Sequence, residues 1–428
     1  MDVPIGGRVE PGFETIAEVF RANWEPSEGD PGELGASLNV CVDGRVTVEL
    51  WGGWCDVERT RPWQRDTLVN AYSVGKALSA TAVLSLVADG KVDLDTPIES
   101  YWPEFGAQGN SDVTMRTVLA HRAGLPCARR DVSVPEAYDF HTMAGILADT
   151  EPWWTPGTAH GYHVNTLGHL IGEPVCRVTG IDFGEVIARR VAGPFGAEIY
   201  LGLPEDQHTR MADVDFPDAG LDDRGESRGP EDSTRAGTAR HSTAAREPGL
   251  DNAASQRDTP EDPTPGQMDA QSLKRMLAGA YFNPPELSGI GSVNTAEFRR
   301  AEIPSTNMAC TAEGVARVFA SLSGYPIADT PEILPSSLID EATTTHSEGH
   351  DLVLGRDSRF GLGFMLHTSD RPIGIGEGSF GHFGHGGSLG FADRDAAVGF
   401  CFLTNRPGDR WQMPRTRRIV RALSDCLS

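Results

Sequence analysis

The sequence predicts an α+β or α/β fold in which a mostly helical domain is inserted into an α/β one. Three observations carry this. Residues 35–50 (GASLNVCVDGRVTVEL) alternate around Asp43-Gly44, the pattern of a hairpin of half-buried strands. From about Pro97 to Leu203 the chain reads mostly as helices joined by polar, Pro-containing loops. Strand-like apolar runs then return in the last hundred residues, at 361–366 and 397–403, around a Gly-rich segment.

Taken in order, residues 14–24 (ETIAEVFRANW) carry apolar side chains at helical spacing. After the hairpin, residues 77–88 (ALSATAVLSLVA) form an apolar helix stopped by Asp89-Gly90, and its amino-terminal turn holds Ser73 to Lys76. Within the helical stretch, Val175 to Arg190 is the most helix-like part. Between Pro217 and Gly266 the only large apolar residues are Leu221 and Leu250. Such a segment cannot bury enough surface to offset its ordering entropy, so it reads as a disordered or loosely attached insertion. Order resumes at 273–281 and at 311–321 (TAEGVARVFAS), a helix with a Thr311 cap and Glu313 in its first turn. Residues 416–423 read as a closing helix. The predicted organisation is an α/β domain over 1–97 and 270–428, a mostly helical domain over 98–212, and an acidic insertion over 213–269.

Charge narrows the function. Across 428 residues, 61 acidic side chains face 37 basic ones, a formal charge of −24. This argues against nucleic acid or an anionic membrane surface as a partner, since both call for basic patches. No stretch reaches 18 consecutive apolar residues, so no membrane span is expected. The amino-terminal residues lack the basic and apolar regions of a secretory signal. Seven scattered cysteines with no CxxC pair read as reduced thiols of a cytoplasmic protein.

Only three lysines occur, Lys76, Lys91 and Lys274, so one inside a chemical motif stands out. Ser73-Val74-Gly75-Lys76 sits where a loop becomes an apolar helix. Serine there lies in the field of the helix amino terminus, which favours a developing oxyanion. The lysine three residues on shares its helical face. It can act as a base for the hydroxyl if burial keeps it neutral. Alone, S-x-x-K recurs by chance, and its bland alternative is a serine cap beside a solvated lysine. Tyr162, in WTPGTAHGYH at 154–163, can relay a proton or act as a phenolate if a cation lowers its pKa; the alternative is a buried tyrosine with one hydrogen bond.

The run from Gly374 to Gly390 admits three readings. Residues 376–381 match GxGxxG, but more glycine and a strand follow where a dinucleotide fold needs a helix. Residues 386–390 match G-x-S-x-G, which would make Ser388 a nucleophile, but that fold needs a later histidine and none follows His385. The surviving reading is a strand edge where glycines let a substrate approach the backbone, with His385 facing the site and the Ser388 N–H as a donor. The pairs His160/His163 and His382/His385 lack a nearby acidic third ligand, so neither a metal nor another cofactor is expected.

In order, Ser73-x-x-Lys76, Tyr162 and His385-Gly386-Gly387 resemble the three motifs of the serine β-lactamase and penicillin-binding-protein superfamily. The chain is most similar to its esterase branch, the family VIII carboxylesterases and EstB-type serine hydrolases. The similarity extends through GRVEPGFE, DGRVTVELWGGWCD, YWPEF, VLAHRAGLP, WTPGTAHGYH and RFGLGF. It implies a β-lactamase-like fold: an antiparallel sheet flanked by helices, a mostly helical domain, and a site in the cleft between them. It further implies Ser73 as the acylated nucleophile and Lys76 with Tyr162 as base and proton shuttle. His385-Gly386-Gly387 would line the substrate where β-lactamases have Lys-Thr-Gly, and the Ser73 and Ser388 N–H groups would form the oxyanion hole. Two departures bear on substrate: Val164 replaces the Asn of Tyr-x-Asn, with Asn165 one step late, and His385 replaces a fixed cation. Both favour a small neutral ester. A β-lactamase or D-amino-acid peptidase, an acyltransferase, and a non-catalytic binding module are the alternatives.

Overall fold

The hairpin forms where expected, but its first strand is buried from Gly35 to Cys41 rather than half-buried, because it pairs on both sides inside the sheet. Strands β2 (Gly35–Val42) and β3 (Arg45–Gly53) pair antiparallel around Asp43 and Gly44, both with positive φ, as a two-residue turn matching strand twist requires. They belong to a nine-stranded sheet in the order β1-β3-β2-β12-β11-β10-β9-β8-β7. The remaining members are β1 (Ile5–Val9), β7 (Ser347–Asp351), β8 (Arg356–Phe360), β9 (Met365–Leu366), β10 (Ser379–Phe383), β11 (Leu389–Asp393) and β12 (Val398–Thr404). Every pairing is antiparallel. A small sheet joins β4 (Val69–Asn70), β6 (Ala309–Cys310) and β5 (Ile199–Tyr200). This computed structural model describes residues 3–27, 30–216, 268–408 and 410–428.

Strand β12 shows how the large sheet is covered. All seven of its residues are buried, so it reads as a continuous apolar run without alternation. Val398, Phe400 and Phe402 pack in one cluster with Ile16 and Phe20 of helix α1 (Glu14–Ala22) and with Ile419 and Leu423 of the closing helix, Pro414–Cys426. Gly399, on the opposite face, lies directly beneath Ala316 and Ala320 of the helix Ala312–Leu322. The latter helix has the expected cap, with Thr311 Oγ1 accepting the Gly314 N–H at 3.1 Å.

Helix α2 (Val74–Ala88) is buried from Val74 to Leu86 all round its circumference, which makes it the central helix that its uniformly apolar sequence implies. The helical stretch that follows contains α3 (Met115–Leu119), α4 (Val134–Tyr138), α5 (Phe140–Ala148), α6 (Leu167–Thr179) and α7 (Phe183–Ile187). The run from Val175 to Arg190 is therefore divided: α6 ends at Thr179, and α7 begins only at Phe183.

Residues up to Asp215 and from Met268 form one compact unit holding both the sheet and these helices. Its edge falls inside the expected insertion of 213–269, because Asp213 pairs with Arg61 and Arg299 and Asp215 with Arg406. Nearly all of that insertion lies outside the described residues. Among the described residues, no helix is long and apolar enough to cross a membrane.

The run at 361–366 is strand only in its last two residues. Strands β7 (SEGHD) and β8 (RDSRF) were not expected at all, since their polar sequences leave no apolar alternation to read. They form one margin of the sheet, and residues from both define the site.

Candidate active site

Ser73 stands at the start of α2, on the turn that leaves β4. The residue before it, Tyr72, adopts a left-handed backbone (φ +49°), a conformation that a non-glycine residue holds only under constraint. Gly390 on β11 lets this turn sit against the sheet: a Cβ there would meet Val74 at 3.0 Å and Phe319 at 2.5 Å. The N–H groups of Val74, Gly75 and Lys76 donate to the carbonyls of Ala71, Tyr72 and Ser73, which closes the turn that carries the Ser73 hydroxyl.

Lys76 is completely buried. Its Nζ lies 2.9 Å from Ser73 Oγ and 2.9 Å from the Ser305 carbonyl oxygen, to which it donates. Burial pushes its pKa well below the ordinary lysine value, and no carboxylate counters it. A neutral amine giving one hydrogen to Ser305 has its lone pair available for the proton on Ser73. Ser305 is itself fixed, its Oγ accepting the Gly168 N–H at 2.9 Å.

Tyr162 comes to the same point from the loop before α6. The Lys76 Nζ lies 4.9 Å from its ring centre. Burial raises the phenol well above its ordinary pKa, outweighing a hydrogen bond with Ser73 and the charge of Arg356. Since Lys76 is neutral, the cation that would have made Tyr162 a phenolate is missing. The tyrosine is an O–H group, suited to relaying a proton.

Three buried histidines surround Tyr162, and burial keeps each neutral. His382 is depressed to about 3 and His163 to about 4, while His121 lies well below the usual imidazole value. Their roles follow from their tautomers. His382 Nδ1 donates to the Phe383 carbonyl at 2.6 Å, leaving Nε2 as an acceptor 3.4 Å from Tyr162 Oη. His163 donates from Nδ1 to the Gly161 carbonyl and accepts the Leu125 N–H at Nε2. Asp351, at the end of β7, takes the Tyr162 N–H at 3.0 Å, those of Val353 and Leu354, and the Ser358 hydroxyl.

The Gly-rich run turns out to be β10, a tight turn and β11. Gly384 N–H donates to the Ser388 carbonyl at 2.7 Å, closing the loop that contains His385, Gly386 and Gly387. Gly386 (φ +63°) packs so closely on Pro407 that a Cβ would stand 2.2 Å from that residue. His385 is exposed, its ring 5.4 Å from that of Tyr72. The Ser388 side chain is fully buried and accepts the Thr404 N–H at 3.3 Å, so its hydroxyl is engaged in the scaffold. Asn165 is likewise committed, donating to Ala280 and Ser288 and accepting from Thr306.

The structure therefore brings Ser73, Lys76 and Tyr162 into one hydrogen-bonding centre. The 384–388 loop is anchored beside it, since a Cβ on Gly384 would lie 2.7 Å from the Ala71 carbonyl. Sequence reasoning missed His382, Asp351 and the Ser305 carbonyl. The first had a signal, the His-x-x-His spacing, but this was weighed only as a metal pair. The other two act through a polar strand and a backbone atom, which leave no motif. Among the described residues, no three His, Cys, Asp or Glu side chains group as metal ligands.

Residues 16–424 match the beta-lactamase family. Among curated proteins, the chain is 27% identical over 405 residues to the esterase/beta-lactamase LipL of Mycobacterium tuberculosis, spanning 94% of this chain and 82% of that one. It is 38% identical over 180 residues to esterase EstB of Burkholderia gladioli, spanning 38% of this chain and 45% of EstB. Among solved structures, a family VIII carboxylesterase superposes with a TM-score of 0.81 at 31% identity, covering 99% of this chain and all of that one.

Proposed function

We propose a defined chemistry from a plain premise: the chain belongs to the beta-lactamase family, in the esterase branch of its serine hydrolases. It hydrolyses small carboxylic esters through an acyl-enzyme on Ser73. The observation that carries this reading is the 2.9 Å contact between Ser73 Oγ and a fully buried Lys76 amine.

In the first half-reaction, Lys76 Nζ takes the Ser73 proton as Oγ attacks the ester carbonyl carbon. The oxyanion forms between the N–H groups of Ser73 and Ser388, where donors aimed at developing charge act most strongly. The tetrahedral intermediate then expels the alcohol, which receives its proton through Tyr162 from Lys76. His385, Gly386 and Gly387 line one side of the substrate. Water enters in the second half-reaction, loses a proton to the same amine and releases the acid. His382 positions the tyrosine hydroxyl by accepting from it. The seven cysteines, none in a disulfide, suit the reducing cytoplasm as its location.

The test is intact-protein mass spectrometry after exposure to a fluorophosphonate, with turnover of p-nitrophenyl acetate and butyrate measured in parallel. One adduct that disappears in Ser73→Ala, together with ester turnover, is the expected result. Neither adduct nor turnover would return weight to a binding module. A second reading, β-lactam hydrolysis, is favoured by the name that LipL carries over nearly the whole chain, and nitrocefin turnover checks it.

A further inference from the structure

A shallow cleft opens beside Tyr162 near the β7–β8 margin of the sheet. Phe360, Phe383 and Trp411 form its apolar walls, and Arg356, Arg359 and Arg371 its basic ones. The walls are shared with the catalytic centre: Phe360 stacks on Tyr162 at 6.0 Å with the rings nearly parallel, and Trp411 meets Tyr162 edge-on at 5.4 Å.

The arginines differ in how they are satisfied. Arg359 donates to Thr345 Oγ1 and to the His367 carbonyl. Among the described residues, the guanidiniums of Arg356 and Arg371 have neither a hydrogen bond nor an ion pair, though Arg356 lies 5.0 Å from the Trp411 ring. Asp351, whose charge favours that of Arg356, is already engaged by three N–H groups and a hydroxyl. Burial and the repulsion of Arg371 both disfavour the charge on half-buried Arg356. The cleft's own lining carboxylate, Asp357, pairs with neither arginine, so in a chain with 61 acidic side chains against 37 basic ones both line the cleft without an ion pair among the described residues.

We propose that Arg356 and Arg371 hold a carboxylate carried by the substrate, so that the preferred esters are anionic. The inference rests on the esterase reading and deepens it. Two guanidinium forks present the planar donor geometry that a carboxylate accepts, and Trp411 and Phe360 supply an apolar wall along which its short chain lies. This reverses the expectation drawn from His385: the cation absent from the third motif is supplied from β8 and from the loop after β9.

The test compares kcat/KM for isosteric pairs: p-nitrophenyl 5-methylhexanoate against mono-p-nitrophenyl glutarate, with the charge on the acyl side, and 4-isopropylphenyl butyrate against 4-carboxyphenyl butyrate, with it on the alcohol side. Wild type is expected to prefer the anionic member of at least one pair by about tenfold, the scale of one charge-assisted hydrogen bond. R356Q and R371Q should each lower that ratio, and the double variant should bring it near unity. Equal or better turnover of the neutral ester in both pairs overturns the proposal, and so does a preference that survives the double substitution. The wild-type ratio needs no variant to fold. Absence of turnover for all four esters would instead count against the esterase reading itself.

Discussion

Lys76 and Arg356 approach Tyr162 from different sides, and burial affects them differently. Lys76 is sealed beneath the tyrosine ring with only a hydroxyl and a carbonyl for partners, and it gives up its proton. Arg356 stands half-buried at a cleft margin, disfavoured by burial and by Arg371, yet a guanidinium does not deprotonate in proteins and stays a cation. An amine with an adjustable pKa serves as a base. A group whose charge cannot be removed serves recognition. The two flanks of Tyr162 thus divide chemistry from selection, and substitutions on either side should separate them.

The largest effects fall on the Lys76 side. Ser73→Ala is expected to lower kcat/KM by about 10⁴-fold or more and abolish the fluorophosphonate adduct. Lys76→Met should be comparably inactive, because no other base adjoins Ser73, and it should also melt higher. The sign follows from linkage. A depressed folded-state pKa contributes stability that is fully present above the unfolded lysine value and is lost as pH falls through the folded one. At neutral pH the wild type bears the cost of a desolvated amine, and methionine removes it. A gain on the order of 2 °C, growing as the pH is lowered, is expected by calorimetry. A methionine variant that melts lower would show that the Ser305 contact outweighs desolvation.

Tyr162→Phe comes next, with about a 100-fold loss in kcat, the scale of one positioned proton relay. In wild type the acid limb of the kcat/KM profile should fall as Lys76 gains its proton, at a pH well below the ordinary lysine value of 10.5. Activity that appears only near pH 10 would mean a normally charged lysine, and the division between the flanks would collapse.

The two flanks were not equally legible. Ser73, Lys76 and the apolar helix behind them are local: hydroxyl, amine and scaffold lie within sixteen residues, and their spacing alone puts them on one face. The hairpin and the Thr311-capped helix were readable for the same reason. The cleft is assembled from β8 and the turn before it, β9 and the loop after it, β10 and the turn before the closing helix, and polar β8 is held in the sheet by backbone bonds to β7 that no side-chain pattern records. Arg356 became visible only once Asp351 was seen to be engaged elsewhere. The histidines around Tyr162 fall between these cases, being conspicuous as residues but unreadable in role until their tautomers were fixed by backbone partners.

The smallest expected effect belongs to Ser388, and it tests whether this residue acts through its backbone alone. The G-x-S-x-G pattern around it invites a nucleophile, but its hydroxyl accepts the Thr404 N–H at 3.3 Å inside the scaffold. Its carbonyl closes the loop on Gly384. Ser388→Ala preserves the N–H assigned to the oxyanion and removes only the hydroxyl. Kcat/KM should therefore fall by no more than about threefold, while stability drops by about 1 kcal/mol, the net contribution of one buried hydrogen bond. The two readouts diverge only if the hydroxyl is structural. A loss matching that of Ser73→Ala, with melting unchanged, would move the nucleophile to β11 and leave the buried lysine without a function.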